Sequence, residues 1–91
     1  MTREQAETIA LQALQHIASD ADLLDRFMAE SGLSPADLRR QAGDPALLAG
    51  ALDHLLQDEA LLLAFCAATE LPPELPARAR ALLPGGGELW S

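Results

Sequence analysis

The sequence predicts an all-α protein, a compact bundle of five to six helices. Alanine and leucine supply about two-fifths of the 91 residues, tyrosine is absent and only three residues are aromatic, a composition that favours helices over sheets. Apolar residues recur at helical spacing, and most helix starts carry a capping residue. A third observation, an internal repeat, favours two similar three-helix units.

The first two helices are delimited by clear start and stop signals. Thr2 and Gln5 form a capping box, after which apolar residues repeat at helical spacing to about Ala18. Ser19 or Asp20 caps the second helix. We expect that helix to end at Gly32, because glycine adopts a positive φ without steric cost.

The stretch GLSPADLRRQAGDP, residues 32–45, resembles the turn and second helix of a DNA reader, but helix punctuation also explains it. Ser34 is a good N-cap, Pro35 suits the first helical position, and Asp37 completes a capping-box-like pair. Gly43 is predicted to end this third helix. Asp44 and Pro45 then begin a fourth helix in the same way.

Two further helices complete the predicted bundle. Asp58 is the expected cap of a fifth helix that runs to about Thr69. The Pro72-Pro73 pair ends the fifth helix and opens a sixth, which continues until Pro84. We therefore predict one helical domain over residues 1–84, followed by a flexible, glycine-rich tail over residues 85–91.

The chain matches itself at an offset of 38 residues. Residues 13–35, ALQHIASDADLLDRFMAESGLSP, align with residues 51–73, ALDHLLQDEALLLAFCAATELPP, and ten of the 23 aligned positions are identical. This match predicts two pseudo-symmetric units, at about residues 2–43 and 44–84. Each unit buries its apolar face against the other.

The repeat reveals a difference between the second and fifth helices. In the second helix, the residues predicted to face solvent are Asp22, Asp25, Arg26 and Glu30. The aligned residues of the fifth helix are Ala60, Leu63, Ala64 and Ala68. A helix that is apolar all round is usually central, so we expect the fifth to be covered on every side. The alternative is an exposed groove for a partner helix or a second copy. Its candidate partner-binding residues are Ala60, Leu63, Ala64 and Trp90.

The charge balance disfavours nucleic-acid binding. The chain has 14 acidic and six basic residues, all six of them arginine, and a net charge of −8. DNA affinity depends largely on basic residues that displace counterions from phosphates, and Arg39-Arg40 is the only adjacent basic pair. A regulatory DNA-binding module built on residues 34–42 is therefore the alternative function, and we expect no nucleic-acid partner.

No catalytic, cofactor or metal signature is evident. His16 with Asp20, and His54 with Asp58, have a spacing that could supply two metal ligands each, but both aspartates are expected as helix caps. Half-buried structural histidines explain the pattern better. Cys66 lies in the most apolar helix and is expected in the core rather than as a nucleophile. We predict no enzyme activity, no cofactor, no metal and no small-molecule substrate.

A cytoplasmic location is expected. The single cysteine forms no internal disulfide, the first ten residues have charges where a secretion signal has its apolar core, and the longest apolar run, ALLLAFCAA, is about half a membrane span. We expect no membrane partner.

Three segments, AETIALQAL, GLSPADLRRQAGDPALL and LLQDEALLLAFCAATELPP, resemble a small bacterial family of about this length that has no assigned function. The resemblance implies an all-helical soluble domain and brings no substrate, cofactor or catalytic residue. Family members tend to have an aromatic residue at the positions of His16 and His54, which implies half-buried side chains there rather than metal ligands.

These observations predict a non-enzymatic, acidic helical domain that acts through protein contacts. Its partner would be a second copy of the chain or another cytoplasmic protein, for which it would serve as an adaptor.

Overall fold

The computed structural model describes residues 1–83, which form six α-helices and no strand. The helices are α1 (Arg3–Ala18), α2 (Ala21–Ser31), α3 (Pro35–Gln41), α4 (Pro45–Leu56), α5 (Glu59–Thr69) and α6 (Leu75–Ala81). The all-α prediction is therefore confirmed. None of the helices in residues 1–83 combines the length and the hydropathy needed to cross a membrane.

Side chains cap the first five helices where the sequence predicts. Thr2 Oγ1 accepts a hydrogen bond from the Gln5 N–H at 3.1 Å, and Gln5 Oε1 accepts one from the Thr2 N–H at 2.8 Å. Ser34 and Asp37 form the same reciprocal pair at α3. Carboxylates cap the other three starts, at Asp20, Asp44 and Asp58. These bonds satisfy N–H groups that have no partner within the helix.

Among the predicted helix ends, that of α6 is wrong by about two residues. α2 ends as expected at Gly32, which has a left-handed φ of 74°. α3 ends at Gln41 with Ala42 as its C-cap, so the predicted stop residue, Gly43, follows directly after the cap. α6 ends at Ala81, and Glu74 at its start forms no side-chain cap.

The helices α1 and α4 form the centre of the bundle and contact each other most extensively. The buried apolar residues of these two helices are Ala6, Ile9, Ala10, Ala13, Leu14 and Ile17 of α1 and Leu47, Leu48, Ala49, Ala51, Leu52 and Leu55 of α4. Helix α6 packs on both of them. Its Arg80 Nε donates to Asp53 Oδ1 of α4 at 2.6 Å, so an ion pair fixes α6 at the edge of this core.

The third helix lies at the periphery and buries none of its residues. Only Leu38 among its residues packs partly against the core. α3 is therefore held to the bundle by Leu38 and by the short turns on either side, while its capping box fixes where the helix begins.

Aligned positions of the two halves have similar surroundings. Both boundaries of α2 lie 38 residues before those of α5. The ring of His16 contacts Phe65 edge-on at 5.6 Å, and Phe27 contacts His54 edge-on at the same distance. Each histidine therefore packs on the phenylalanine of the other half. The internal repeat itself stays a prediction from the sequence match.

Replacement of Asp58 by alanine tests the capping model. The carboxylate accepts from the N–H groups of Ala60 and Leu61, so its loss leaves the first turn of α5 unsatisfied. We expect the free energy of unfolding to fall by about 1 kcal/mol in urea denaturation followed by circular dichroism. The neighbouring Glu59→Ala variant should lose only a few tenths of a kcal/mol. Equal stability of wild type and Asp58→Ala would contradict the assignment of Asp58 as the cap.

Candidate functional site

The outer face of α5 is an exposed apolar stripe, and the prediction that this helix is covered on every side is wrong. The exposed apolar residues of α5 are Ala60, Leu63, Ala64, Ala67 and Ala68, which we call the α5 stripe. Leu63 is 45% exposed, more than any other leucine that the structure describes. The fourth candidate partner-binding residue, Trp90, lies outside the described residues.

The reason for this exposure is the position of α5 in the bundle. α5 packs against α4 and, less extensively, against α1, and its buried residues are Phe65 and Cys66. Helix α6 packs on α1 and α4 and makes no extensive contact with α5. α5 therefore has one buried side, although its sequence is apolar enough for two.

Comparison with α2 shows what an ordinary outer face looks like in this chain. The corresponding positions of α2 are Asp22, Asp25, Arg26, Ala29 and Glu30, and all five are exposed. The predicted exposure of Asp22, Asp25, Arg26 and Glu30 to solvent is confirmed. Four of these residues are charged, whereas the α5 stripe has no polar side chain. The stripe is therefore unusual among the outer faces of this protein.

The surroundings of the α5 stripe are acidic. Residues 41–77 contain six carboxylates and no lysine or arginine. Four of the six lie at the two ends of α5 or just beyond it and are exposed: Asp58, Glu59, Glu70 and Glu74. An apolar stripe with carboxylates at both ends repels anionic surfaces and attracts cationic ones.

A second feature is an open cleft of about 370 Å³ between α2 and α4, closed at one end by the end of α3. Its lining is Phe27, Glu30, Ser31, Leu33, Gln41, Ala46, Leu47, Gly50, His54 and Gln57. We call this the α2–α4 cleft. It combines an apolar floor with neutral polar groups and one carboxylate.

The surroundings of the two histidines indicate a role in packing rather than in metal binding. His16 is half-buried, as predicted, whereas the same prediction is wrong for His54, which is buried and only 5% exposed. Asp20 and Asp58, their suspected metal partners, cap α2 and α5 instead. Within residues 1–83 there is no group of three or more His, Cys, Asp or Glu side chains that could hold a metal ion.

The sequence did not reveal the contact between His54 and Glu30. His54 Nδ1 lies 2.8 Å from Glu30 Oε2, and because a carboxylate only accepts, Nδ1 must donate its proton. The two residues are 24 positions apart and on different helices, so helical periodicity cannot relate them. The repeat offers a partial signal: the residue that corresponds to Glu30 is Ala68, so His16 lacks the equivalent partner.

The pair Arg39 and Arg40, the candidate DNA contacts, is exposed at the end of α3. Arg40 pairs with Asp37 of the same helix. One of the two cations is therefore already engaged by a carboxylate, so this geometry adds no support to the DNA-binding alternative.

Cys66 is buried in the core, as predicted. Burial raises the pKa of its thiol above the ordinary value of 9.0, and the negative charge of Glu74 raises it further. Both effects disfavour the thiolate, which is the nucleophilic form. This cysteine therefore contributes to the apolar core and is not activated for catalysis.

Because the pKa of Cys66 is raised in the folded protein, the fold loses stability at alkaline pH. The folded protein holds the Cys66 proton more tightly than the unfolded chain, so the stabilisation is complete below about pH 9 and is lost as the pH rises through the folded pKa. The sequence has no tyrosine and no lysine, so no other side chain titrates between about pH 9 and pH 11.

We expect the free energy of unfolding of wild type to fall between pH 8.5 and pH 10.5 more steeply than that of Cys66→Ala, as measured by urea denaturation at each pH. The alanine variant should be less stable at neutral pH because it loses buried contacts. Parallel pH profiles of the two proteins would show that Cys66 does not titrate differently in the folded state.

Comparison with protein-family models matches residues 3–86 to the family described as protein of unknown function (DUF3572). No curated protein and no solved structure matches the chain. The family match extends from the start of α1 past the end of α6, so it covers all six helices, the α5 stripe and the α2–α4 cleft. The chain therefore belongs to the DUF3572 family of proteins of unknown function.

Proposed function

We propose that this protein is a non-enzymatic cytoplasmic interaction module whose α5 stripe binds a helical segment of another protein. The segment would have an apolar face flanked by lysine or arginine. The observation that carries this proposal is the exposure of Leu63 in the middle of a stripe that otherwise consists of alanine.

The shape of the stripe favours a helix as its occupant. Ala60, Ala64 and Ala68 recur at four-residue intervals and present only methyl groups. Small side chains let a second helix approach closely, while Leu63 supplies one larger side chain that inserts between residues of the partner. An amphipathic helix would cover the apolar stripe along its full length.

Charge favours a basic partner over a second copy of the chain. The ends of the stripe carry Asp58 and Glu59 on one side and Glu70 and Glu74 on the other. Two copies would place these carboxylates near each other and would bring together two chains of net charge −8. Basic residues on either side of a partner's apolar face would instead meet opposite charges.

The non-enzymatic part of the proposal rests on the nucleophile candidates. Cys66 is buried with a disfavoured thiolate. Ser31, which lines the α2–α4 cleft, donates its hydroxyl to the Met28 carbonyl at 3.4 Å rather than to His54. Neither side chain is paired with a base that would activate it.

Replacement of Leu63 by aspartate tests the stripe. A charge at this exposed position should change the melting temperature little, because the side chain is not part of the core. We expect the variant to lose a partner that the tagged wild-type protein captures from its native lysate. The captured protein is then purified, and its affinity for wild type and Leu63→Asp is measured directly.

The matched control is Leu11→Asp, because Leu11 is also an exposed leucine, 41% accessible, but lies on α1. We expect this variant to bind the partner like wild type. Binding should weaken when salt rises from about 50 to 500 mM, and the contact should map to a basic amphipathic helix of the partner. A partner lost equally by both variants, or bound through an acidic or non-helical segment, would contradict the proposal.

Analytical ultracentrifugation separates the proposal from self-association. We expect wild type to sediment as a monomer. A dimer that Leu63→Asp converts to a monomer would show instead that the stripe binds a second copy.

A further inference from the structure

We propose that the α2–α4 cleft binds a small organic cation, an ammonium group carried by an apolar body. This site shares no residue with the α5 stripe, so it stands independently of the proposed interaction. It also differs from the expectation, based on the sequence, that the protein has no small-molecule ligand.

The size and floor of the cleft suit a small ligand with an apolar part. Its volume of about 370 Å³ lies near the lower end of the range of small-molecule pockets, roughly 300 to 1,000 Å³. Phe27 and Leu47 are buried, and both contribute to the lining together with the half-buried Leu33. These side chains would contact the apolar body of a ligand.

The charge of the lining selects a cation. Glu30 is the only carboxylate among the lining residues, and the lining contains no lysine or arginine. An anionic ligand would find no opposite charge here, whereas an ammonium group would find Glu30.

The contact with His54 positions Glu30 for this role. The buried ring of His54 holds Glu30 Oε2 at 2.8 Å, so an otherwise flexible surface side chain is fixed at the edge of the cleft. A carboxylate can accept several hydrogen bonds, and His54 uses one of them. An ammonium group has three donors and no acceptor, which matches the remaining capacity of Glu30.

The ring of His54 is itself held beside the cleft. It is 5% exposed and packs edge-on against Phe27, another lining residue, at 5.6 Å. Its Nε2 is buried and has no hydrogen-bond partner among residues 1–83, so the contact of Nδ1 with Glu30 is the one side-chain hydrogen bond of this ring within that range. His54 therefore serves as a packed support for the carboxylate.

Gly50 is the second independent observation. It lies in the interior of α4, where glycine is less favourable than alanine, and it lines the cleft. A Cβ at this position would meet no atom within 4 Å, so neither the backbone conformation nor close helix packing requires glycine. The absent side chain keeps open a space that a ligand can use.

The experiment is a titration of the ¹⁵N-labelled full chain at pH 7, followed by heteronuclear NMR, with three probes of similar size. Phenethylamine supplies the cation, 2-phenylethanol the neutral analogue and 3-phenylpropionate the anion. We expect saturable shifts from phenethylamine at amides of the cleft residues. Binding of the alcohol should be at least about tenfold weaker, and the anion should not bind.

Glu30→Gln removes the charge but keeps an oxygen that can accept from His54. We expect it to weaken phenethylamine binding at least about tenfold with little change in melting temperature. The matched control is Asp25→Asn, which removes one charge from the exposed face of the same helix and should bind like wild type.

Gly50→Leu should fill the cleft and abolish binding, while Gly50→Ala should raise the melting temperature because alanine favours the helix. Three results would overturn the proposal: no saturable shift with phenethylamine, equal binding of the alcohol, or unchanged binding by Glu30→Gln.

Discussion

Direct contact between α1 and α4 is the constraint on which the rest of the structure depends. Fully buried alanines, such as Ala10 and Ala13 of α1 and Ala51 of α4, occupy little space in the core that these helices share, and buried leucine and isoleucine side chains fill the rest of it. α2, α5 and α6 each pack against one or both of these helices. A larger side chain at one of the alanines would separate the central pair and move every helix that rests on it.

The helix boundaries could be predicted from the sequence because capping is local. The bonds of Thr2 with Gln5, and of Ser34 with Asp37, join residues only three positions apart. The start of α6 has no side-chain cap and therefore has no comparable local signal.

Coverage of a helix is not local, which explains the error at α5. An apolar sequence shows that a helix can be buried, but how many neighbours cover it depends on where the other helices lie. α1 and α4 already form the centre, so α5 is left with one buried side. The sequence could therefore identify Leu63 as a candidate partner-binding residue, but it could not decide whether its side chain is buried or exposed.

The α2–α4 cleft was unpredictable for the same physical reason. His54 and Glu30 meet only because α2 lies against α4, and sequence periodicity relates residues of one helix, not of two. From the sequence alone, a glycine such as Gly50 in a helix interior indicates only lower helix propensity. Its place beside Phe27 and His54 becomes visible when the helices are assembled.

The end of α5 has a consequence for protein engineering. At the corresponding end of α2 the left-handed residue is Gly32, whereas here it is Glu70, with φ of 59°. A residue with a Cβ in this conformation costs about 1 kcal/mol, and the exposed Glu70 side chain has no hydrogen bond among the described residues that would offset the strain. The Glu70→Gly variant should therefore be more stable than wild type. In that background, destabilising changes to the core or the outer helices could be tolerated and studied in a folded protein.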